Sequence, residues 1–428
     1  MRILIVSYAF PPFNSIGGVR VGKTAKYLLG AGHDVRVIAA REQPFPRTLP
    51  LEIPEERVEY TRWLNIRKPV EVVSKDAPAA KNAEKPVAAR KGLGQALKSG
   101  VRFALRTFVY FPDANIGWFP YAVRSARRFL KDWRPDIILA SSPPPSTLLV
   151  ARHLAKRYRV PWVADLRDLW VDHQYYDQPR LRETIERRLE QSVLNSAAGL
   201  VTVSEPLAET LRTKYGREPV IVMNGFDPSD YPARKEEERA SSESSPFRIL
   251  YTGVVYEGRQ DPSPLFAALK ELGAEMKAVE VAFYGSFLQK VRELVAVYGV
   301  EAVVQVNDPV PYRQSLQMQT EADVLLLLLW NDPEHKGVYT GKLFEYIGAR
   351  RPILAVGNPG DVAAELIQSR GLGVVSNDVN QILDHLRGWI KRKRETGRIT
   401  FSGEREVTEF SREEQTRVLE QYLSRLIK

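Results

Sequence analysis

Between Thr340 and Glu345 the chain sets a hydroxyl, a glycine, a lysine and a carboxylate within one short string, Thr-Gly-Lys-Leu-Phe-Glu. The preceding stretch, Asp323 to Trp330, is apolar enough for a strand buried on both faces of a parallel sheet. A polar loop, Asn331 to Gly337, follows, and a short helix begins near Thr340. Pro352 ends that helix before another buried strand, Ile353 to Val356. With Thr340 as N-cap, the amides of Gly341, Lys342 and Leu343 point out of the helix start without internal partners. Such an end attracts phosphate, and Lys342 adds a full positive charge. Glu345 lies one turn on, within reach of two neighbouring hydroxyls such as those of a ribose. A diphosphate cradle beside a carboxylate suits a nucleotide-sugar. The same string suits equally well an ordinary helix of an α/β sheet with a surface lysine and glutamate, and locally the two readings are even.

Two strand–helix series position this string. The first has buried-strand patterns at Ile3–Val6, Val35–Ala39, Ile137–Ala140, Trp162–Ala164 and Leu200–Val203. Helical patterns at Gly22–Leu29, Tyr121–Leu130, Thr147–Tyr158 and Pro179–Asn195 stand between several of them. The second restarts at Arg248–Tyr251 and continues at Glu280–Tyr284, Val303–Val306, Asp323–Leu329 and Ile353–Val356. This alternation predicts parallel sheets with helices on both faces, an α/β fold. Between the series lies Pro232 to Pro246, charged and Ser-rich with no apolar anchor, which reads as a linker. A capping box at Ser411-Arg-Glu-Glu414 opens a last helix with Val418, Leu419, Tyr422, Leu423 and Leu426 at helical spacing.

Composition agrees. At 428 residues two cores are expected rather than one, and an apolar share of 44% excludes global disorder. The chain has no cysteine, hence no disulfide framework and no thiolate metal site. It runs from Met1 straight into a strand pattern, without the features of a secretory signal, and no apolar run approaches the ~20 residues of a membrane span. A soluble or surface-bound protein of a reducing cytoplasm is expected. A Rossmann dehydrogenase is excluded: G-x-G-x-x-G is missing, only Gly17-Gly18 follows the first strand, and Pro11-Pro12 blocks a tight turn off Val6.

In order and spacing the motifs resemble the retaining GT-B glycosyltransferases of family 4. The resemblance is carried by Met1–Pro12 with Gly17-Gly18, Gly32–Ile38, Asp165-Leu-Arg-Asp-Leu-Trp170, Val203-Ser204, Asn224–Asp227, Ile249–Gly253, Ala322–Val324 and Lys342-Leu-Phe-Glu345. Ser141–Ser146 followed by Asp165–Trp170 is most similar to a bacterial subgroup that builds surface polysaccharides and often handles deoxy-amino sugars. The resemblance implies two Rossmann-like domains facing a cleft. Residues 1–231 would bind the acceptor, 232–246 link, and 247–405 bind the nucleotide-sugar. Residues 406–428 would form a helix returning toward the first domain.

It also implies roles. Thr340, Gly341, Lys342 and Leu343 would hold the donor diphosphate and Glu345 the ribose. Gly17 and Gly18 would let backbone approach the donor phosphates or the acceptor; the other reading is a loop turn with positive backbone angles. Gly253 ends the strand before a second phosphate loop. Many relatives carry arginine next, where this chain has Val254, while Arg259 falls near a second basic position and would bracket the diphosphate with Lys342. The family's first paired glutamate is replaced by Gly337, which puts the donor sugar in doubt; Glu334 and His335 are candidate substitutes.

Catalysis in such enzymes is thought to run on one sugar face, the leaving diphosphate helping to deprotonate the acceptor. The chemistry then rests on charge stabilisation by Lys342 and Arg259 and on positioning. No cofactor or metal is expected. Asp165, Arg167, Asp168 and His173 form the acceptor-side cluster, with Asp168 the carboxylate for an acceptor hydroxyl or amine; the alternative is a structural ion-pair network. His33, His153 and His385 read as structural. The net charge of +10 includes a basic stretch, Lys91 to Phe111, where Leu97, Val101, Leu105 and Phe108 share helical spacing with Lys98, Arg102 and Arg106. That pattern points to an anionic membrane, on the inner face of the cell membrane, rather than to nucleic acid, for which no module is present. The expected function is sugar transfer from a nucleotide donor, a UDP-sugar, to a lipid-linked or other cytoplasmic-face acceptor. The alternatives are a nucleotide-sugar epimerase or hydrolase, and an inactive nucleotide-sugar-binding subunit.

Overall fold

A computed structural model describes residues 1–64, 110–173, 176, 178–232, 245–331, 337, 339–401 and 407–427. Glu334, His335, the basic stretch up to residue 109 and most of the linker lie outside the described residues. The chain divides into two compact units. The first comprises Met1–Thr202, Thr210–Val220 and the chain from Glu420 on; the second comprises Val203–Glu209 and Ile221–Leu419.

The first unit is built on a seven-stranded sheet. Its strands are β1 (Arg2–Ser7), β2 (Asp34–Ala40), β3 (Val58–Thr61), β4 (Ile137–Ser142), β5 (Trp162–Leu166), β6 (Gly199–Thr202) and β7 (Val220–Ile221). They lie in the order β3-β2-β1-β4-β5-β6-β7. Pairing is parallel from β3 to β6, with Ile3 opposite both Val35 and Ile137. The helices α1 (Ile16–Gly30), α2 (Phe119–Phe129), α3 (Ser146–Tyr158), α4 (Arg180–Leu194) and α5 (Glu205–Tyr215) follow in chain order. From Ile3 on β1, and throughout β4 and β5, the strands are buried, so their backbone groups depend mainly on the ladder. Close to the chain's end, the Tyr422 hydroxyl accepts from the Leu200 amide at 3.2 Å, and His33 Nε2 meets Glu420 Oε1 at 2.8 Å. Gly199 makes room for this: a methyl there would lie 2.5 Å from the Tyr422 hydroxyl. These contacts give His33 its structural role.

The second unit repeats the plan with six strands, β8 (Phe247–Thr252), β9 (Val279–Tyr284), β10 (Val304–Asn307), β11 (Val324–Leu328), β12 (Ile353–Val356) and β13 (Gly373–Val375). The order is β10-β9-β8-β11-β12-β13 and every pairing is parallel. Its helices are α6 (Ser263–Glu271), α7 (Gln289–Tyr298), α8 (Tyr312–Glu321), α9 (Gly341–Ala349), α10 (Val362–Ser369) and α11 (Val379–Thr396). The unbroken leucine run of β11 feeds two cores. Val324, Leu326 and Leu328 pack into one layer, and Leu325, Leu327 and Leu329 into the other. The last helix, α12 (Arg412–Ile427), starts on Ser411, whose hydroxyl accepts from the Glu414 amide at 3.1 Å as the capping box requires.

The short edge strands β3, β7 and β13 are absent from the sequence reading, because none carries a continuous apolar run. The start of α1 also differs. The sequence pattern begins at Gly22, whereas the helix begins at Ile16 and takes Gly17 and Gly18 into its first turn.

In each sheet the chain reverses its direction of growth between two central strands, β1 and β4 in one and β8 and β11 in the other. Ligands of such sheets bind at the carboxyl ends of those strands. At the opposite end of the second sheet, Asp323 accepts from the Arg248 amide at 2.8 Å and takes the Lys393 ammonium in a buried ion pair. Removing one partner strands the other charge, so Asp323→Ala should lower the unfolding free energy by about 3–5 kcal/mol. Lys393→Met strands the Asp323 carboxylate and should cost a similar amount. Denaturant titration of the two variants checks this, and a negligible cost for both would show that the pair is not what holds this edge.

Candidate functional site

Thr340 is the N-cap residue of α9, with extended backbone, but its side chain does not cap. Its Oγ1 is buried without a hydrogen-bond partner. This corrects the expectation of an ordinary capping threonine and leaves an unsatisfied hydroxyl beside the helix start. Lys342, in the first turn, reaches back across the sheet edge to the end of β8. Its Nζ lies 3.3 Å from the Val254 carbonyl oxygen and 5.0 Å from the centre of the Tyr251 ring. Gly253 makes this possible. It has φ of +121°, and a Cβ there would stand 2.3 Å from Lys342 Cε. Among the described residues no carboxylate lies within ion-pair distance of Lys342. Burial pulls its pKa below the ordinary lysine value, against the pull of Tyr256 and Glu345. A cation in that state gains from any anion that reaches it.

Glu345 lies one turn on. Gln319, fully buried on α8, donates from Nε2 to Glu345 Oε2 at 3.3 Å and to Thr252 Oγ1 at 3.0 Å. Burial raises the pKa of the Glu345 carboxyl, while Gln319, Lys342 and Arg412 hold it down. The Tyr231 hydroxyl donates to the Glu345 carbonyl at 2.8 Å, which fixes this turn of the helix. Arg259 is exposed and stacks on Trp330, its Cζ 4.5 Å from the ring centre, just past the end of β11. The Asn331 amide donates to the Arg259 carbonyl at 3.0 Å, stitching the loop after β8 to the loop after β11. Lys342, Glu345, Gly253 and Arg259 therefore all sit about the switch point of the second sheet. Gly337 explains the missing glutamate in steric terms. Its φ is +108°, its carbonyl accepts from Ser204 at 2.5 Å, and a Cβ would lie 2.9 Å from Pro206.

In the first unit Gly17 and Gly18 are helical, and neither has positive φ. The turn reading is thereby removed. Their lack of side chains serves close approach instead: a Cβ on Gly17 would lie 2.6 Å from Arg167 Nη1, and one on Gly18 2.7 Å from the Phe13 carbonyl. Asp165 is committed. It takes Arg20 bidentately, at 3.1 Å to Nε and 2.8 Å to Nη2, and Ser141 at 2.8 Å, with both charged partners buried. It acts as a structural ion pair and is corrected out of the acceptor-side cluster.

Arg167 follows on the same strand end. It donates from Nη2 to the Pro143 carbonyl at 2.8 Å, and burial lowers its pKa despite Asp168 and Asp165. Asp168, partly buried, has neither a hydrogen bond nor an ion pair among the described residues, and is the free carboxylate of this loop. His173 packs edge-on against Tyr176, and burial pulls its pKa down against Asp168 and Asp172. His153 lies against Phe119 and His385 against Trp389, which is packing.

Arg20, Gln319 and Tyr231 escape the sequence reading. An arginine on the buried face of a helix calls for a buried carboxylate, and that signal was available for Arg20. Gln319 and Tyr231 carry no such mark.

Residues 17–225 match the model of the glycosyl transferase 4-like domain. No curated protein matches the chain in sequence. Solved structures match over essentially its whole length. Sucrose-phosphate synthase from Thermosynechococcus elongatus is 14% identical with a TM-score of 0.63, covering 100% of this chain and 99% of its own. Anabaena HepE, in complex with UDP and glucose, is 14% identical with a TM-score of 0.63, covering 99% and 100%. The lipopolysaccharide outer core galactosyltransferase WaaB, in its apo form, is 13% identical with a TM-score of 0.54, covering 99% of each. The fold is GT-B.

The two shifted groups set a pH window for nucleotide-diphosphate binding. Glu345 accepts hydroxyls best when ionised, so affinity should fall as acid protonates it, at a pH above the ordinary glutamate value of about 4.3. Lys342 attracts phosphate only when charged, so affinity should also fall as alkali removes its proton, below the ordinary lysine value of about 10.4. Glu345→Gln should flatten the acid limb and weaken binding by roughly 1.5–3 kcal/mol. Lys342→Ala should remove the alkaline limb. Calorimetric titration with UDP across pH checks both, and identical profiles for wild type and Glu345→Gln would remove Glu345 from the site.

Proposed function

We propose that the protein is a retaining glycosyltransferase that takes a sugar from a nucleotide-sugar, a UDP-sugar, on its second unit. The observation that carries this reading is Lys342, without a counter-ion among the described residues and lodged against Gly253, with the Glu345 carboxylate one turn further on α9. A diphosphate supplies the absent anion and a ribose the hydroxyls. The match of residues 17–225 and the structural likeness to HepE, which was captured with UDP and glucose, support it. As the glycosidic bond breaks, negative charge grows on the diphosphate; Lys342 and Arg259 stabilise it, and Asp168 orients the acceptor. A retaining outcome follows if the acceptor attacks on the face the diphosphate leaves. Thermal-shift screening against UDP-, GDP-, dTDP- and ADP-sugars should select a UDP-sugar, with roughly 2.7 kcal/mol of stabilisation at 100 times its dissociation constant. Transfer from that donor should keep the anomeric configuration. A free epimerised nucleotide-sugar formed without acceptor would contradict transfer.

The acceptor we propose is lipid-linked, in the assembly of a bacterial surface polysaccharide, with the protein bound at the inner face of the membrane. No helix among the described residues is long and apolar enough to cross a bilayer. The outer face of α4 instead exposes Leu181 at 66% and Ile185 at 44%, with exposed Arg180 and Arg188 on either side. Apolar groups rimmed by arginine suit an anionic headgroup layer, as does the net charge of +10. Binding to anionic liposomes should fall with salt, and Leu181→Ser with Ile185→Ser should weaken it. Wild-type protein that ignores anionic liposomes at low salt would make a soluble acceptor the better reading.

A further inference from the structure

We propose that Arg167 forms a second, separate oxyanion subsite on the first unit, and that the group it takes is a phosphate or diphosphate carried by one of the substrates. The inference rests on the glycosyltransferase reading and extends it to the unit that lacks the nucleotide machinery.

The guanidinium is under-used. One hydrogen bond, from Nη2 to the Pro143 carbonyl, is its entire set of side-chain partners among the described residues. Nε is buried and has none. No carboxylate lies within ion-pair distance of it, because Asp165, its neighbour on β5, is held bidentately by Arg20 and by Ser141. A half-buried guanidinium whose buried Nε is unmatched gains when a ligand completes it.

Its placement is specific. The positions 2.6, 2.8 and 2.8 Å from Nη1, Cζ and Nη2 converge on the point where a Gly17 Cβ would stand, so the planar group lies face-on over the glycine. Its backbone amide donates to the Ser142 carbonyl at 3.1 Å. Arg167 is thus fixed between the end of β4, the end of β5 and the helix that follows β1. That is the switch point of the first sheet, where ligands of such sheets bind. A planar fork of donors fixed by its flat face matches an oxyanion better than any neutral hydroxyl.

The substrate that offers that chemistry to the first unit is an acceptor bearing a phosphate, since the donor diphosphate is assigned to Lys342 on the second. Inorganic pyrophosphate, titrated calorimetrically into the full chain, is the probe. The Lys342→Ala background silences the second unit's cation. Lys342→Ala should still bind pyrophosphate, and adding Arg167→Gln should weaken that binding roughly tenfold or more. Gly17→Ala keeps the arginine but pushes the guanidinium aside, and should weaken it similarly; this arm decides if the arginine variant does not fold. Equal pyrophosphate affinity with and without Arg167, or no binding by Lys342→Ala, overturns the proposal.

Steady-state kinetics of Arg167→Gln in the otherwise native protein then test the source. A raised KM for the phosphate-bearing acceptor supports the subsite, and a raised KM for the UDP-sugar alone overturns it. Unchanged KM for both overturns the subsite. A failure of UDP to bind the wild type would sink the nucleotide-sugar reading instead, and would leave the pyrophosphate titration readable.

Discussion

A lysine with no carboxylate at ion-pair distance among the described residues is the constraint on which the second unit turns. Lys342 reaches the end of β8 only because Gly253 has no side chain, and what it meets there is a carbonyl oxygen and the face of Tyr251. Neither neutralises an ammonium. The chain tolerates a cation with a depressed pKa there, and Gln319 holds a buried carboxylate one turn away. Such an arrangement is costly for an empty protein, and an arriving anion such as the proposed diphosphate would offset that cost.

The first unit uses a related device with different chemistry. A cation, Arg167, again lies over a glycine, Gly17, at the switch point of its own sheet. Beside it stands a contrasting arrangement: Arg20 on α1 and Asp165 on β5 form a buried ion pair, joined by Ser141 from β4. The contrast separates roles that one motif, Asp-Leu-Arg-Asp, had run together. The first aspartate is held in a buried ion pair, and among the described residues the arginine is left with donors to spare and Asp168 has no ion-pair partner.

Much of this was legible in the sequence. The buried strands announce themselves as apolar runs, and parallel pairing follows from the alternation of strand and helix; the strand order with its central reversals does not. Lys342, Glu345 and Gly253 stood out as candidates because a phosphate site would need a glycine, a helix start and a cation in fixed order, and the structure places Lys342 against Gly253. Burial partners were not readable. Asp165 pairs with a residue 145 positions earlier, Arg20, and no local pattern encodes that. The edge strands β3, β7 and β13 carry too little apolar signal to stand out. Gly337 was noticed as a missing glutamate, but its reason lies in Ser204 and Pro206, far away in sequence. The glycines of α1 were read as a loop because two small residues after a strand ordinarily make one; the arginine that occupies their space came from another strand.

The account's central claim is that the Lys342 ammonium awaits a nucleotide diphosphate. A structure of the protein with UDP tests this most directly. The account predicts a phosphate oxygen within about 3 Å of Lys342 Nζ, with the ribose hydroxyls against the Glu345 carboxylate. UDP bound elsewhere, with the Lys342 ammonium still resting on the Val254 carbonyl, would contradict it.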